Sequence, residues 1–153
     1  MKLAEALQER ADLNRRIADL RSRLAANATV QEGEKPAEDP AGLLSELDRC
    51  VAALEGRIAQ INLVNCRTTV DGKTLTELLA QRDCLTLQIG AYRQLLDNAS
   101  QTAYRARGTE IKVLSTVDVA ALQKQVDAMS HQLRLLDNTI QQTNWTTDLI
   151  EKS

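Results

Sequence analysis

The residues that could carry chemistry are few, and their spacing does not suit it. The chain has one histidine, His131, which the positions of Val126 and Met129 place on the outer, polar face of a long helix. No Glu stands three residues before His131, so the Glu-x-x-His pairs of di-iron bundles are missing. The sequence also lacks a Gly-rich phosphate loop and a Ser-His-Asp set. We therefore expect no enzyme activity, no cofactor and no functional metal.

The cysteines, the N-terminal sequence and the net charge indicate where the protein is located and which partners it lacks. Cys50, Cys66 and Cys84 are odd in number and widely spaced without a CxxC, which is typical of reduced cytosolic thiols. The N-terminus carries acids where a secretion signal would be apolar, and no run of eighteen apolar residues exists. The net charge of −2 gives no general attraction to nucleic acid. The sequence thus predicts a cytoplasmic protein with no membrane span and no nucleic-acid partner.

Two arginines interrupt apolar series and need an explanation. Arg10 and Arg82 fall at core positions of their helices, and a buried charge is costly unless it is paired. One interpretation is a pair with an acid that fixes which helices meet. The neighbouring Asp83 points about 100° away around the helix, so it is predicted to be a poor partner of Arg82. The other interpretation is a buried polar or anion site, with these candidate residues: Arg10, Asn65, Thr69, Arg82, Glu110 and Lys112.

Helix signals surround these residues along almost the whole chain. Caps and apolar periodicity predict helices at about 3–26, 40–65, 75–103 and 117–150 within one domain, 1–153. Asp39-Pro40 begins the second helix and Thr74 with Glu77 forms a capping box for the third. The loops at 66–70 and 110–115 favour short β segments, with an Asp71-Gly72 turn after the first.

The spacing of the apolar residues predicts how the helices pack. The second helix alternates steps of three and four without a miss, through Leu44, Leu47, Val51, Leu54, Ile58, Ile61 and Asn65. This 3-4 spacing keeps one seam facing a neighbour in coiled coils and four-helix bundles. Four such seams predict an all-α, antiparallel, coiled-coil-like four-helix bundle.

Apolar residues off the seams suggest contact with a second copy of the chain. The first helix carries an alanine every seven residues, at Ala4, Ala11, Ala18 and Ala25, which permits close approach of another helix. The fourth helix places Leu135, Trp145 and Leu149 away from its main seam as a candidate subunit contact. We expect a homo-oligomer, most simply a two-fold dimer.

Four strings together resemble a known family: "QEGEKPAEDP", "DGKTLTELLAQRD", "EIKVLSTVDVAALQKQ" and "LDNTIQQTNW". They are similar to the septicolysin-like proteins, small helical bacterial proteins of unknown function. The resemblance covers nearly the whole chain and brings no catalytic residues, and the family name implies a cytolysin. Three functions are expected in order: a self-assembling interaction protein, a small-molecule or anion binder, and a cytolysin-type pore former.

Overall fold

The computed structural model describes residues 1–101 and 111–150, most of which are helical. These residues form helices α1 (Leu3–Ala26), α2 (Pro40–Arg67), α3 (Leu75–Ala99) and α4 (Val119–Thr146). The predicted all-α class is confirmed, with four helices of 24, 28, 25 and 28 residues. Residues 102 and 103, the last two of the predicted third helix, lie outside the described residues.

Local capping explains where α2 and α4 begin. The Asp39 carboxylate accepts a hydrogen bond from the Ala41 amide at 3.2 Å, and Pro40 occupies the first helical position. Asp118 does the same for the Ala121 amide at 3.0 Å. Helix α4 therefore begins just after Asp118, two residues later than predicted.

A small hairpin connects α2 to α3. Strands β1 (Thr69–Val70) and β2 (Lys73–Thr74) pair antiparallel, with Thr69 opposite Thr74. Asp71 and Gly72 form the turn with φ of 51° and 82°, as two-residue hairpins with both central residues left-handed require. The predicted β segment and turn are confirmed here. The second predicted segment is not: residues 111–115 form no strand, because no strand of the described chain runs beside them to accept their backbone bonds.

The chain divides into two compact units, Met1–Thr74 with Thr143–Ser153, and Leu75–Gln142. In the first unit α1 and α2 lie antiparallel, since Arg16 bonds Glu46 while Arg57 pairs with Glu9 at 2.5 Å. Their core forms around Leu20, Leu43 and Cys50, with the partly buried Leu13, Ile17, Leu24 and Leu47 packed against it. The prediction of a single domain stays a prediction.

The buried face of α2 differs from the predicted seam. Leu43, Cys50, Ile61 and Val64 are buried. Leu44, Val51 and Ile58 are instead 38–49% exposed, so the prediction was wrong at these three positions. Each lies one residue, or about 100°, from a residue that faces α1, and the sequence pattern alone does not choose between the two neighbouring stripes.

The end of α4 pairs with the start of the chain. The Leu3 amide donates to the Thr147 carbonyl and the Leu149 amide to the Met1 carbonyl, each at 2.8 Å. Lys2 and Asp148 form an antiparallel bridge, and their side chains form an ion pair at 2.9 Å. Helix α4 ends at Thr146, short of the predicted 150, because this pairing takes the following residues out of the helix.

The second unit pairs α3 with α4. Arg93 of α3 donates to Ser130 of α4 at 3.2 Å, and Arg82 lies 4.0 Å from Asp137. The order of these pairs makes the two helices antiparallel. Among the described residues of this unit, the buried apolar ones are Leu75, Leu78, Leu85, Ile89, Leu96, Leu122, Val126 and Ile140.

The connection between α1 and α2 is fixed at both ends by polar contacts. Arg23 donates from Nε to both carboxylate oxygens of Glu38, at 3.1 and 3.0 Å. The Asn27 side chain accepts from the Glu38 amide at 3.0 Å and donates to the Arg23 carbonyl at 2.8 Å. The hydrogen bond from Arg23 holds the pKa of Glu38 below its ordinary value of 4.5.

Because of this contact, we expect the folded protein to lose stability as the pH becomes acidic. A carboxylate with a lowered folded-state pKa stabilises the fold fully above its unfolded pKa, and this contribution is lost as pH falls through the folded pKa. Thermal melts should therefore show a falling melting temperature below about pH 4.5, and Glu38→Gln should reduce that fall. Glu34→Gln, on an exposed carboxylate without an ion pair in the described residues, is the matched control. If the melting temperature of Glu38→Gln falls at low pH as much as that of the wild type, Glu38 is not the group responsible.

Candidate functional site

Arg10 is half-buried on α1 and is not enclosed in the core. Within residues 1–101 and 111–150, no carboxylate lies within 4.0 Å of its guanidinium. The pairing that the first interpretation requires is therefore not made by a described acid of the same chain.

Arg82 has two acidic neighbours and remains 33% exposed. Its Nε and Nη2 atoms donate to Asp83 at 3.3 Å, and Nη1 lies 4.0 Å from Asp137. Asp83 was predicted to be a poor partner, and that was wrong. The long Arg82 side chain bends along the helix surface, so its guanidinium does not follow the direction of its Cα–Cβ bond.

The other residues of the predicted anion pocket are spread over the chain. Asn65 is half-buried near the end of α2, Thr69 is exposed in the hairpin, Lys112 is exposed, and Glu110 lies outside the described residues. Val113 and Leu114 line one pocket together with Leu95, near the end of α3. That point is about 20 Å along the helix from Arg82. The structure therefore does not bring Arg82 and Lys112 together.

The three predicted subunit-contact residues differ in burial. Leu135 and Trp145 are about half exposed, at 53% and 52%. Leu149 is 6% exposed and belongs to the segment that pairs with the chain start. Leu149 therefore has a packing role within the first unit.

A groove between α3 and α4 collects three arginines that the sequence did not group. We call it the arginine groove, after Arg82, Arg93 and Arg134, which line its volume of about 500 Å³ together with Asp137. Arg134 donates to Nδ1 of His131 at 2.8 Å, since a guanidinium has no acceptor.

Two of these arginines have no acid beside them. Among the described residues, neither Arg93 nor Arg134 has a carboxylate within 4.0 Å. A smaller groove of about 290 Å³ between α1 and α2 also holds two arginines, Arg16 and Arg57, but both are paired with glutamates. Of these two grooves, the arginine groove is the one that combines a concave surface with uncompensated positive charge.

Part of the arginine groove, its α3 side, could be predicted from the sequence. Arg82 and Arg93 are eleven residues apart, which is close to three turns and places them on one face of α3. Arg134 joins them only when α4 lies antiparallel beside α3. The antiparallel pairing of α3 and α4 is seen only in the tertiary structure.

A second candidate surface runs along α2. We call Leu44, Val51 and Ile58 the α2 stripe: three exposed aliphatic side chains seven residues apart. Asp48 and Glu55 lie beside it, three residues before and four residues after Val51. Neither acid has an ion-pair partner among the described residues.

Helix α1 has a surface of small side chains and positive charge, in contrast to the large side chains and acids of the α2 stripe. Ala11, Ala18 and Ala25, here called the α1 alanine stripe, are exposed, whereas Ala4 is buried. Arg21 lies between Ala18 and Ala25 on the same side, and Arg10 shares its face eleven residues earlier. Arg21, like Arg10, has no carboxylate within 4.0 Å in the described chain.

Three further observations bear on function. The described residues contain no helix that is both long and apolar enough to cross a bilayer. Nor do residues 1–101 and 111–150 contain a cluster of three His, Cys, Asp or Glu side chains able to hold a metal ion. Cys50 is buried, while Cys66 and Cys84 are exposed, and none of the three is in a disulfide.

The helix pairs and the small hairpin between α2 and α3 define an all-α fold. The chain belongs to a family of unknown function, DUF6847, whose profile matches residues 10–149.

A solved structure supports the same fold. The crystal structure of a functionally unknown conserved protein from Corynebacterium diphtheriae is 36% identical in sequence, with a TM-score of 0.94 over 98% of this chain and 99% of that chain. No curated protein matches this chain.

Proposed function

We propose that the protein is a self-assembling helical subunit in which a second copy of the chain covers the α2 stripe. The observation that carries this proposal is the stripe itself: its heptad spacing is that of a coiled-coil seam, yet its side chains are exposed. Contiguous exposed apolar side chains with a polar border are typical of protein interfaces.

Size and charge make α1 of a second copy the matching surface. The large side chains of the α2 stripe fit over the small side chains of the α1 alanine stripe, which allows the helices to approach closely. Asp48 and Glu55 then face Arg10 and Arg21, so four charges that lack partners within the described chain would pair between chains. A two-fold axis repeats this contact, because each copy supplies one α1 and one α2.

The rest of the proposal follows the sequence predictions. We infer a non-enzymatic protein of the cytoplasm, supported by three widely spaced cysteines that form no disulfide. The finer resemblance to septicolysin-like proteins rests on the four quoted strings alone. No observation on the described residues favours a cytolytic activity, and the absence of nucleic-acid binding stays a prediction.

The first test measures the mass in solution. Light scattering after size exclusion should give at least twice the chain's 16.9 kDa. Val51→Glu should reduce this mass to that of the monomer, because it buries a carboxylate in the apolar contact. Leu87→Glu is the matched control, since Leu87 is 77% exposed on α3 and lies outside the proposed interface. A wild-type monomer at tens of micromolar, or a Val51→Glu variant that stays associated, would overturn the proposal.

The second test separates this interface from any other by charge reversal. The acid-reversed variant carries Asp48→Lys and Glu55→Lys, and the base-reversed variant carries Arg10→Glu and Arg21→Glu. Each alone would place like charges opposite each other and should weaken self-association. An equimolar mixture should form a heterodimer, because opposite charges then meet at both contacts. Failure of the mixture to associate would exclude this pairing of α1 with α2.

A further inference from the structure

We infer that the arginine groove binds the phosphate group of a small phosphorylated organic compound. The inference is independent of self-assembly, because the groove lies within Leu75–Gln142 and shares no residue with the α2 stripe or the α1 alanine stripe. It rests on the geometry of two arginines, one hydroxyl and an apolar floor.

The two uncompensated arginines are placed for one anion. Arg93 contacts Ser130, and Arg134 follows Ser130 by four residues on the same helix. One helical turn, about 6 Å, therefore separates the two positions along the groove. A phosphate has oxygens on several sides, and the planar fork of a guanidinium can donate two parallel hydrogen bonds to it.

The Ser130 hydroxyl adds a donor between these arginines. Its oxygen accepts from Arg93 at 3.2 Å, which leaves its own hydrogen free to donate to a phosphate oxygen. Arg82 lies at the other end, where Asp83 and Asp137 already neutralise its charge. Asp137 would repel an anion there, so the phosphate is placed at the Arg93–Arg134 end.

The floor of the groove suits an organic group. Ile89 is 3% exposed and Leu133 is half-buried, and both line the groove beside the arginines. A volume of about 500 Å³ lies in the range of small-molecule pockets. An apolar body attached to the phosphate would rest on these side chains, which inorganic phosphate cannot do.

Isothermal titration of the full chain with two probes tests the inference. Phenyl phosphate combines a phosphate with an apolar ring, and inorganic phosphate has the anion alone. We expect phenyl phosphate to bind several-fold more tightly, at constant ionic strength set with chloride. Arg93→Gln and Arg134→Gln should each weaken binding by about tenfold or more, the effect of losing one charge-assisted hydrogen bond.

Arg49→Gln is the matched control, because Arg49 is exposed on α2 and far from the groove in sequence. It should bind phenyl phosphate as the wild type does. Equal weakening in all three variants would indicate general charge attraction and overturn the site. Absence of binding by the wild type at millimolar phenyl phosphate would also overturn it. Equal affinity for the two probes would overturn the assignment of an organic ligand. Circular dichroism of each variant verifies that its helices are intact.

Discussion

Replacing Leu20 with alanine is expected to lower the free energy of unfolding by about 3–5 kcal/mol. Leu20 is fully buried against Leu43 and Cys50 in the core of the α1–α2 pair. The loss combines the hydrophobic transfer of the removed atoms with the cavity that remains, since two rigid helices cannot collapse around the gap. The free energy of unfolding is measured by urea denaturation, with the helical circular-dichroism signal at about 222 nm as the probe.

Leu87→Ala is the matched control for Leu20→Ala. The same atoms are removed, but Leu87 is 77% exposed on α3, so the change should be within about 0.5 kcal/mol. Comparable losses in the two variants would contradict the placement of the core. They would indicate instead that Leu87 is buried by a partner in solution.

Leu149→Ala is expected to lower the free energy of unfolding by about 2–4 kcal/mol, far more than Trp145→Ala. Leu149 is buried next to the backbone bonds that join its segment to Met1 and Leu3, whereas Trp145 is about half exposed. Native-state hydrogen exchange should also show faster exchange at the Leu3 and Leu149 amides in the Leu149→Ala variant.

Trp145→Ala serves as the comparison because it removes more atoms only four residues away. If it destabilises the chain more than Leu149→Ala does, the described burial of the two side chains is wrong. If it lowers the mass in solution without changing the melting temperature, Trp145 belongs to a subunit interface other than the one proposed through α2.

The helices were predictable because their signals are local. Asp39 and Pro40 mark the start of α2 in the sequence, and the structure confirms the bond from the Ala41 amide to Asp39. The Asp71-Gly72 turn was equally readable, since few residues other than glycine, asparagine and aspartate adopt positive φ without strain.

Features that depend on distant residues were not predictable. The end of α4 was placed too late because its last predicted residues bond to Met1 and Leu3, which the local pattern does not show. The burial of α2 was misassigned at Val51 because two adjacent stripes are both apolar, and only the position of α1 selects one.

The same reasoning applies to the candidate sites. Arg82 stood out because it interrupts an apolar series. Arg93 and Arg134 sit where charged residues are ordinary, and only the antiparallel pairing of α3 and α4 places them beside one groove. Their lack of acidic partners is a property of three-dimensional placement.

The first unit is interrupted in sequence, and this determines when some of its backbone bonds can form during translation. Residues 75–142 are synthesised in one continuous stretch, so every residue of the second unit has been added to the chain before Thr143 is translated. The Met1 carbonyl and the Leu3 amide, in contrast, bond to Leu149 and Thr147, which are translated after the whole second unit. Domains usually complete folding in the order of synthesis. In this protein the backbone bonds that join the start of the first unit to Thr147 and Leu149 can form only after the second unit has been synthesised.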